Sequence, residues 1–469
     1  MSIVSQNEED FQRSAKSVSI FLRTFQIAKL LRTVRAMKQK GVSALDIFRC
    51  ILTSVFADRS IYRLFLSGCF REAFSKNTYY RFLNSARTNW ANFTARLSAA
   101  IINEKLRHLT NDGRADAFIV DDTLYERAGC KKTELASRLF DHNEHRYRKG
   151  FRLLTLGWSD GVSFVPILSR LMASGKDENL LGMSAKVDQR TIGGKIRAQA
   201  RRKMTDVMVE LLSDAIHAGH RAKYVLFDSW FASPAQVRAV KNVGKDEGIS
   251  LDVTAMVKRS SKVQYRFEGK MRDIKSIFGL SHKRRGRSRY LLSVDVEIIG
   301  GKEEEPIPAR IVCARNRANR KEWVAILCTD MGKSPEDIIA IYGKRWDIEV
   351  FFKTCKSLLR LGKECHSLSY DALTAHVAIV FTRYMMLALA KRENEDSRSL
   401  GGLFYMMADE LRDKTFHESM QMLFCALLAS AAETLQLHEE KMQEMLTGFW
   451  ARLPFPMQRC LSCSLESCV

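Results

Sequence analysis

The chain has 469 residues, 46% of them hydrophobic, enough to bury a sizeable core and to build more than one folded unit. Its 75 Lys and Arg against 53 Asp and Glu leave a formal net charge of +22, which favours a long polyanion as partner, nucleic acid first. No stretch of about 18 apolar residues lacks an ionic group, which argues against a membrane span. In chain order, the first 110 residues are predicted to be helical. Ser43 is placed as an N-cap before a helix from Ala44 to Phe56, with Leu45, Phe48, Ile51, Leu52 and Val55 on one face. Ser75 can cap a second helix, Lys76 to Ala86. Its Phe82, Leu83 and Ala86 would pack inward and leave Lys76, Asn77, Arg81 and Asn84 free, a polar set suited to a recognition helix in a major groove. An ordinary solvated helix face has the same pattern.

From residue 117 the periodicity changes to that of strands. Phe118-Ile119-Val120 leads into Asp121-Asp122-Thr123, and two apolar runs, Phe151 to Trp158 and Val162 to Leu168, are joined by Ser159-Asp160-Gly161 as a hairpin. A helix is expected over about 200 to 218, and then Tyr224-Val225-Leu226-Phe227 ends at Asp228. Ser233-Pro234-Ala235-Gln236 opens another helix, with Ser as cap, Pro in the first turn and Gln three residues after the cap. Strand, strand, strand, helix, strand, helix is the order of a ribonuclease-H-like α/β core. Residues 249 to 330 are again strand-rich, and beyond Ser334 the chain turns helical to about residue 450. The run Ala375 to Ala390, which contains His376 and Arg383, reads as a buried helix. The expected organisation is a helical DNA-binding region over 1–110, an α/β core over 111–245 and 330–395, a mostly β insertion over 246–329, and a helical C-terminal region over 396–469.

The eleven cysteines are an odd count scattered through a charged chain, so reduced thiols are expected. Cys460, Cys463 and Cys468 lack a fourth ligand of suitable spacing for zinc and read as a reduced tail. Glu8, Glu9 and Asp10 near Met1 do not fit a signal peptide, and the expected setting is the cytoplasm, at the nucleoid.

Among so many acids, most are solvated surface charges, and context must select. Asp122 and Asp228 each end an apolar strand, where a sheet presents polar groups to a cleft; capping the next turn is the structural alternative. Asp121 competes with Asp122, because the apolar Ile119 and Val120 before them leave the alternation ambiguous. If one helix runs on from Ser334 through Gly343, Tyr342, Arg345, Glu349 and Lys356 fall at about 0, 300, 340 and 320° on a 100° wheel. The apolar Ile341, Ile348, Phe351, Cys355 and Leu359 fall on another arc, at about 180 to 260°, and Asp347 lies about 160° from Glu349. A plain Arg345–Glu349 surface pair would also account for part of this stripe.

The spacing Y-x2-R-x3-E-x6-K made by Tyr342, Arg345, Glu349 and Lys356 resembles the signature of bacterial DDE transposases of the insertion-sequence-4 type. The resemblance extends to Asp122-Thr123, to Phe227-Asp228-Ser229-Trp230-Phe231, and to a β insertion between the second Asp and the Glu. It implies a ribonuclease-H-like core in which Asp122, Asp228 and Glu349 hold two Mg²⁺ ions, with Mn²⁺ as a substitute. It also implies that Tyr342, Arg345 and Lys356 hold DNA phosphates beside the scissile bond. The implied activity is cut-and-paste transposition at terminal inverted repeats of double-stranded DNA, by a homodimer in the active complex. Two rivals share these residues: a ribonuclease-H-like nuclease without strand transfer, and a transposase-derived protein that binds DNA without cutting it. In the insertion, Lys283-Arg284-Arg285-Gly286-Arg287 with Arg289 suits phosphate contact or a solvated loop, and Trp230 and Trp323 suit base stacking or plain core.

Overall fold

A computed structural model describes residues 18–37, 40–57, 74–110, 115–141, 144–284, 288–301, 304–315 and 322–393, with isolated positions 447, 448 and 452. The expected C-terminal helices and the cysteine tail therefore lie almost wholly outside the described residues, as do Arg285 to Arg287 of the basic loop.

The N-terminal part is helical: α1 (Ile27–Thr33), α2 (Ala44–Thr53), α3 (Lys76–Leu83) and α4 (Trp90–Ile101). The Ser43 hydroxyl accepts from the Asp46 amide and the Ser75 hydroxyl from the Thr78 amide, so both expected N-caps satisfy a free N–H of the first turn. Ile47, Phe48, Ile51 and Leu52 are buried along α2, while Lys76, Asn77, Arg81 and Asn84 stay exposed around α3. The two helices are shorter than expected: α2 tightens into a 3-10 turn at Ser54, and α3 stops at Asn84.

The sheet follows: β1 (Ala117–Glu126), β2 (Ser137–Asp141), β3 (Arg146–Ser159) and β4 (Phe164–Met172), then α5 (Ile192–Ala200), which was not expected, and α6 (Met204–His217), the helix expected over about 200 to 218. Next come β5 (Tyr224–Phe227), α7 (Pro234–Asp246), β6 (Asp252–Met256), β7 (Gln264–Phe267), β8 (Lys270–Asp273) and α8 (Ile274–Leu280). The remainder is β9 (Leu292–Ile298), β10 (Ile307–Arg315), β11 (Trp323–Cys328), α9 (Pro335–Gly343), α10 (Trp346–Ser357) and α11 (Tyr370–Glu393). The β3–β4 hairpin turns where expected. Gly161 takes φ +87°, and the Asp160 carboxylate accepts from the Val162 and Ser163 amides at 2.9 and 2.7 Å.

Strands β4, β3, β1, β5 and β6 lie side by side, antiparallel from β4 to β1 and parallel from β1 through β5 to β6. This is a ribonuclease-H-like arrangement. The strands expected to form an insertion continue the same sheet: β11 pairs with β6, followed by β10, β9, β7 and β8. The segment given to the insertion from residue 246 thus begins with β6, whose parallel pairing to β5 ties it to the core.

Helix α11 is long and apolar enough to cross a bilayer by length and composition, but 89% of that stretch is buried in the protein, as expected for a core helix. Its Arg383 is fully buried and donates to Glu364 at 2.6 and 3.1 Å and to the Leu52 carbonyl at 2.9 Å, which fastens the N-terminal helices to the core.

Candidate active site

The parallel register of β1 on β5 pairs Ala117 with Tyr224, Phe118 with Val225 and Ile119 with Leu226, a constant offset of 107 residues. Continued two residues further, it sets Asp121 level with Asp228, just past the end of β5. Both strands are buried up to this point, so the acids emerge together from the apolar sheet. The Asp228 carboxylate accepts from the Trp230 amide at 2.9 Å, which fixes it at the start of the turn into α7.

The third acid arrives on α10. The expected single helix is in fact two: α9 ends at Gly343, and Lys344 and Arg345 form a tightened turn before α10. Glycine favours such an ending because it adds no side-chain contacts to hold the helix. The cation stripe survives the break. Arg345 donates to Asp121 at 3.1 Å and also to Glu349, so one guanidinium joins the first strand to the helix acid. Two turns along, Lys356 donates to the Thr123 hydroxyl at 2.6 Å. Alternate strand residues share a face, so the stripe Arg345, Glu349, Lys356 lies over the face of β1 that carries Asp121 and Thr123. The Tyr342 ring lies 5.8 Å from the Arg345 guanidinium, on the far side of the break. Arg345 is only 15% exposed, which is not the setting of a solvated surface pair.

Asp122 has a different partner, although Asp228 and Lys356 still act on it. Its carboxylate, 7% exposed, is bound by Arg152, a residue that sequence reasoning missed. Arg152 reaches it across the β1–β3 register, where it pairs with Leu124, and no local pattern marks such a long-range neighbour. Asp347 is turned away, accepting from Ser159 at 2.6 Å, as the helical wheel indicated. Trp230 is 58% exposed with the Lys258 ammonium 5.6 Å from its ring, whereas the half-buried Trp323 stacks on Phe278 at 4.2 Å and packs against the core.

The charges here are mutually strained. Burial, opposed by Arg345 and reinforced by Asp228 and then Asp122, pushes the Asp121 carboxyl up to about 7. Asp122 is raised by burial, against Arg152, with Asp228 again adding repulsion. Burial lifts the Tyr342 phenol to about 12. Burial likewise lowers Lys356, helped by Arg152. Burial works against the charge of Arg345, but Tyr342, Asp121 and Glu349 outweigh it and raise its pKa.

Buried, mutually repelling carboxylates favour a cation, and hard carboxylate oxygens suit a divalent one. Among the described residues no three acid, His or Cys side chains converge as a ligand set; Arg345 binds Asp121 and Glu349, and Arg152 binds Asp122. The donor chemistry fits a divalent metal, with Asp121, Asp228 and Glu349 as the residues that would hold it.

The fold is that of the ribonuclease-H-like class, with acids gathered at the strand ends and on the facing helix. The model of the DDE superfamily endonuclease family matches residues 44–331, more than half of the chain, and the chain belongs to that family. The family described as "Archaeal putative transposase ISC1217" matches residues 290–386, which include α9 and α10, and the chain is similar to it there. No curated protein matches the chain. The families imply nuclease chemistry on DNA, and DDE superfamily nucleases generally use divalent metal ions.

Proposed function

We propose that this chain is a cut-and-paste transposase of the insertion-sequence-4 type, acting as a homodimer on terminal inverted repeats of double-stranded DNA, in the cytoplasm at the nucleoid. Asp228 and Glu349 are two of its metal carboxylates. For the third we assign Asp121 rather than Asp122, the residue that the family resemblance implied. The observation that carries this assignment is Arg345, which bridges Asp121 and Glu349, together with the register that sets Asp121 level with Asp228. The cofactor is a pair of Mg²⁺ ions, replaceable by Mn²⁺. Bound there, they would lower the pKa of an attacking water or 3′-hydroxyl and stabilise the leaving oxygen, so one site serves cleavage and strand transfer.

The chain's own residues do the positioning. Lys356 holds its ammonium on Thr123, at the edge of the acids, where a phosphate oxygen can replace the hydroxyl as acceptor. Arg345 offers a planar fork that suits a phosphate as well as it suits the two carboxylates it now joins. Tyr342 keeps its proton at neutral pH and can only donate to, or stack on, the DNA.

The test is Mn²⁺ binding and DNA cleavage by Asp121→Ala and Asp122→Ala. The expected result is loss of both properties in the Asp121 variant and retained Mn²⁺ binding in the Asp122 variant. The reverse pattern returns the first position to Asp122. A wild-type protein that cuts but never joins a pre-cut end to target DNA would be a nuclease without strand transfer.

A further inference from the structure

Beyond Asp122, β1 continues through Thr123 to Glu126 along a groove of about 1170 Å³. One wall is the turn over 127–133 and the other is the segment over 361–368 that follows α10. The volume exceeds the ~300–1,000 Å³ of a small-molecule pocket and suits part of a polymer. The walls are tied together. Arg127 donates to the carbonyls of Cys365 and Ser367, the latter at 3.1 Å, and the Glu134 amide donates to the Leu368 carbonyl at 3.0 Å. Arg360 and Gly362 take φ of +58° and +78°, which folds the second wall back toward β1. The groove is therefore formed before anything enters it, which lowers the entropy cost of binding.

Its charges divide into two sets. Three of the four lining acids are engaged by arginines: Asp122 by Arg152, Glu126 by Arg148 at 2.8 Å, and Glu144 by Arg146 and Arg148; the fourth, Asp141, accepts from the Glu144 amide at 3.4 Å. Lys131 and Lys132 on one wall and Lys363 on the other are exposed and have no ion-pair partner among the described residues. Loop lysines are often only solvated charges. These three line both walls of one groove, and that groove ends at Asp122 and Lys356, beside the acids.

We propose that this groove takes a single strand of DNA that continues from the scissile phosphate, with Lys131, Lys132 and Lys363 contacting its phosphates. The inference rests on the transposase reading and deepens it by placing the strand on the Asp122 side of the site. One phosphate backbone running between the two walls can meet ammonium groups from both of them.

The test compares wild type with the triple variant Lys131→Gln, Lys132→Gln, Lys363→Gln on two probes: a blunt DNA duplex of generic sequence, and the same duplex with a single-stranded extension of either polarity. For the wild type, the extension should raise affinity and steepen the slope of log affinity against log salt. In the variant that increment should shrink by about 0.7 per lost contact, the single-strand value, while blunt-duplex binding stays near wild type. Restoring charge with Arg at the three positions should restore the slope. An increment unchanged in the variant overturns the groove assignment, even if Glu349→Ala still abolishes cleavage and the transposase reading stands. A wild-type chain that cuts no DNA in Mg²⁺ or Mn²⁺ overturns that reading and the groove with it.

Discussion

Two clusters of acids and arginines in this protein use the same side chains to opposite ends. Around Arg383, every charge is answered: Glu364 receives two guanidinium bonds and the Ser54 hydroxyl at 2.8 Å, and the guanidinium also donates to the Ile51 and Leu52 carbonyls of α2, to the Leu359 carbonyl and to the Ser54 hydroxyl. Burial alone would raise Glu364, yet Arg383 holds it below the usual carboxylate range. The Arg197 cluster is alike, with Glu134 and Asp371 both bound by one guanidinium at 2.7 to 3.0 Å. Around Arg345 the balance is reversed. Asp121, Asp122 and Asp228 crowd one another, and Asp121 is driven up rather than down. A satisfied buried pair fastens elements together, whereas acids left in excess leave a place for a cation.

The largest effect that separates the two clusters is on activity. Asp121→Ala, Asp228→Ala and Glu349→Ala should each reduce DNA cleavage below detection in a gel assay while leaving DNA binding largely intact, because phosphate contacts supply the affinity. Arg383→Met should act on stability, costing about 3–5 kcal/mol in denaturant unfolding, because it strands Glu364 without a partner. Arg345→Ala should cost less, since Asp121 can take a proton in its place. If Arg345→Ala proved the more destabilising, the two clusters would not differ in kind.

Smaller effects sharpen the contrast. Lys356→Ala should slow cleavage and lower the magnitude of the salt slope of DNA binding by about 0.9, the value for one phosphate contact. An unchanged slope would leave Lys356 as a ligand of Thr123 only. The smallest effect is on pH dependence. Asp121 binds its proton up to about 7 when folded but only to about 3.9 when unfolded, so between these values the folded state holds more protons and metal-free stability falls as pH rises. Asp121→Asn should therefore raise the melting temperature by about 1 °C for each kcal/mol recovered at pH 8 and change little at pH 4. Equal shifts at both pH values would count against a charged, crowded Asp121.

Much of this was legible in the sequence because it is local. The caps Ser43, Ser75 and Ser233 sit where side-chain oxygen, spacing and apolar pattern agree, and each accepts an amide of the first turn. The apolar run that ends at Asp228 marks a strand buried to its tip, whereas β1, expected to end at its acids, runs on half-buried to Glu126, because it pairs with β3 over that length. What was not legible depends on pairing across distance. The alternation of β1 cannot choose between two adjacent aspartates; the register with β5 and the reach of Arg345 bear on that choice. Arg152 becomes a neighbour of Asp122 only through β3, and β6 joins the core only through β5. The break between α9 and α10 follows from Gly343, whose cost to a helix the wheel ignored.

The central claim is that the Arg345-bridged acids hold a divalent metal that cuts DNA. It is tested most directly by incubating the purified chain with a plasmid carrying its own gene and flanking DNA, in Mg²⁺, in excess chelator, and with Glu349→Ala in Mg²⁺. The account predicts cuts at the borders of the element with Mg²⁺ and wild-type protein, and none in the other two reactions. Undiminished cutting in chelator, or by Glu349→Ala, would contradict it.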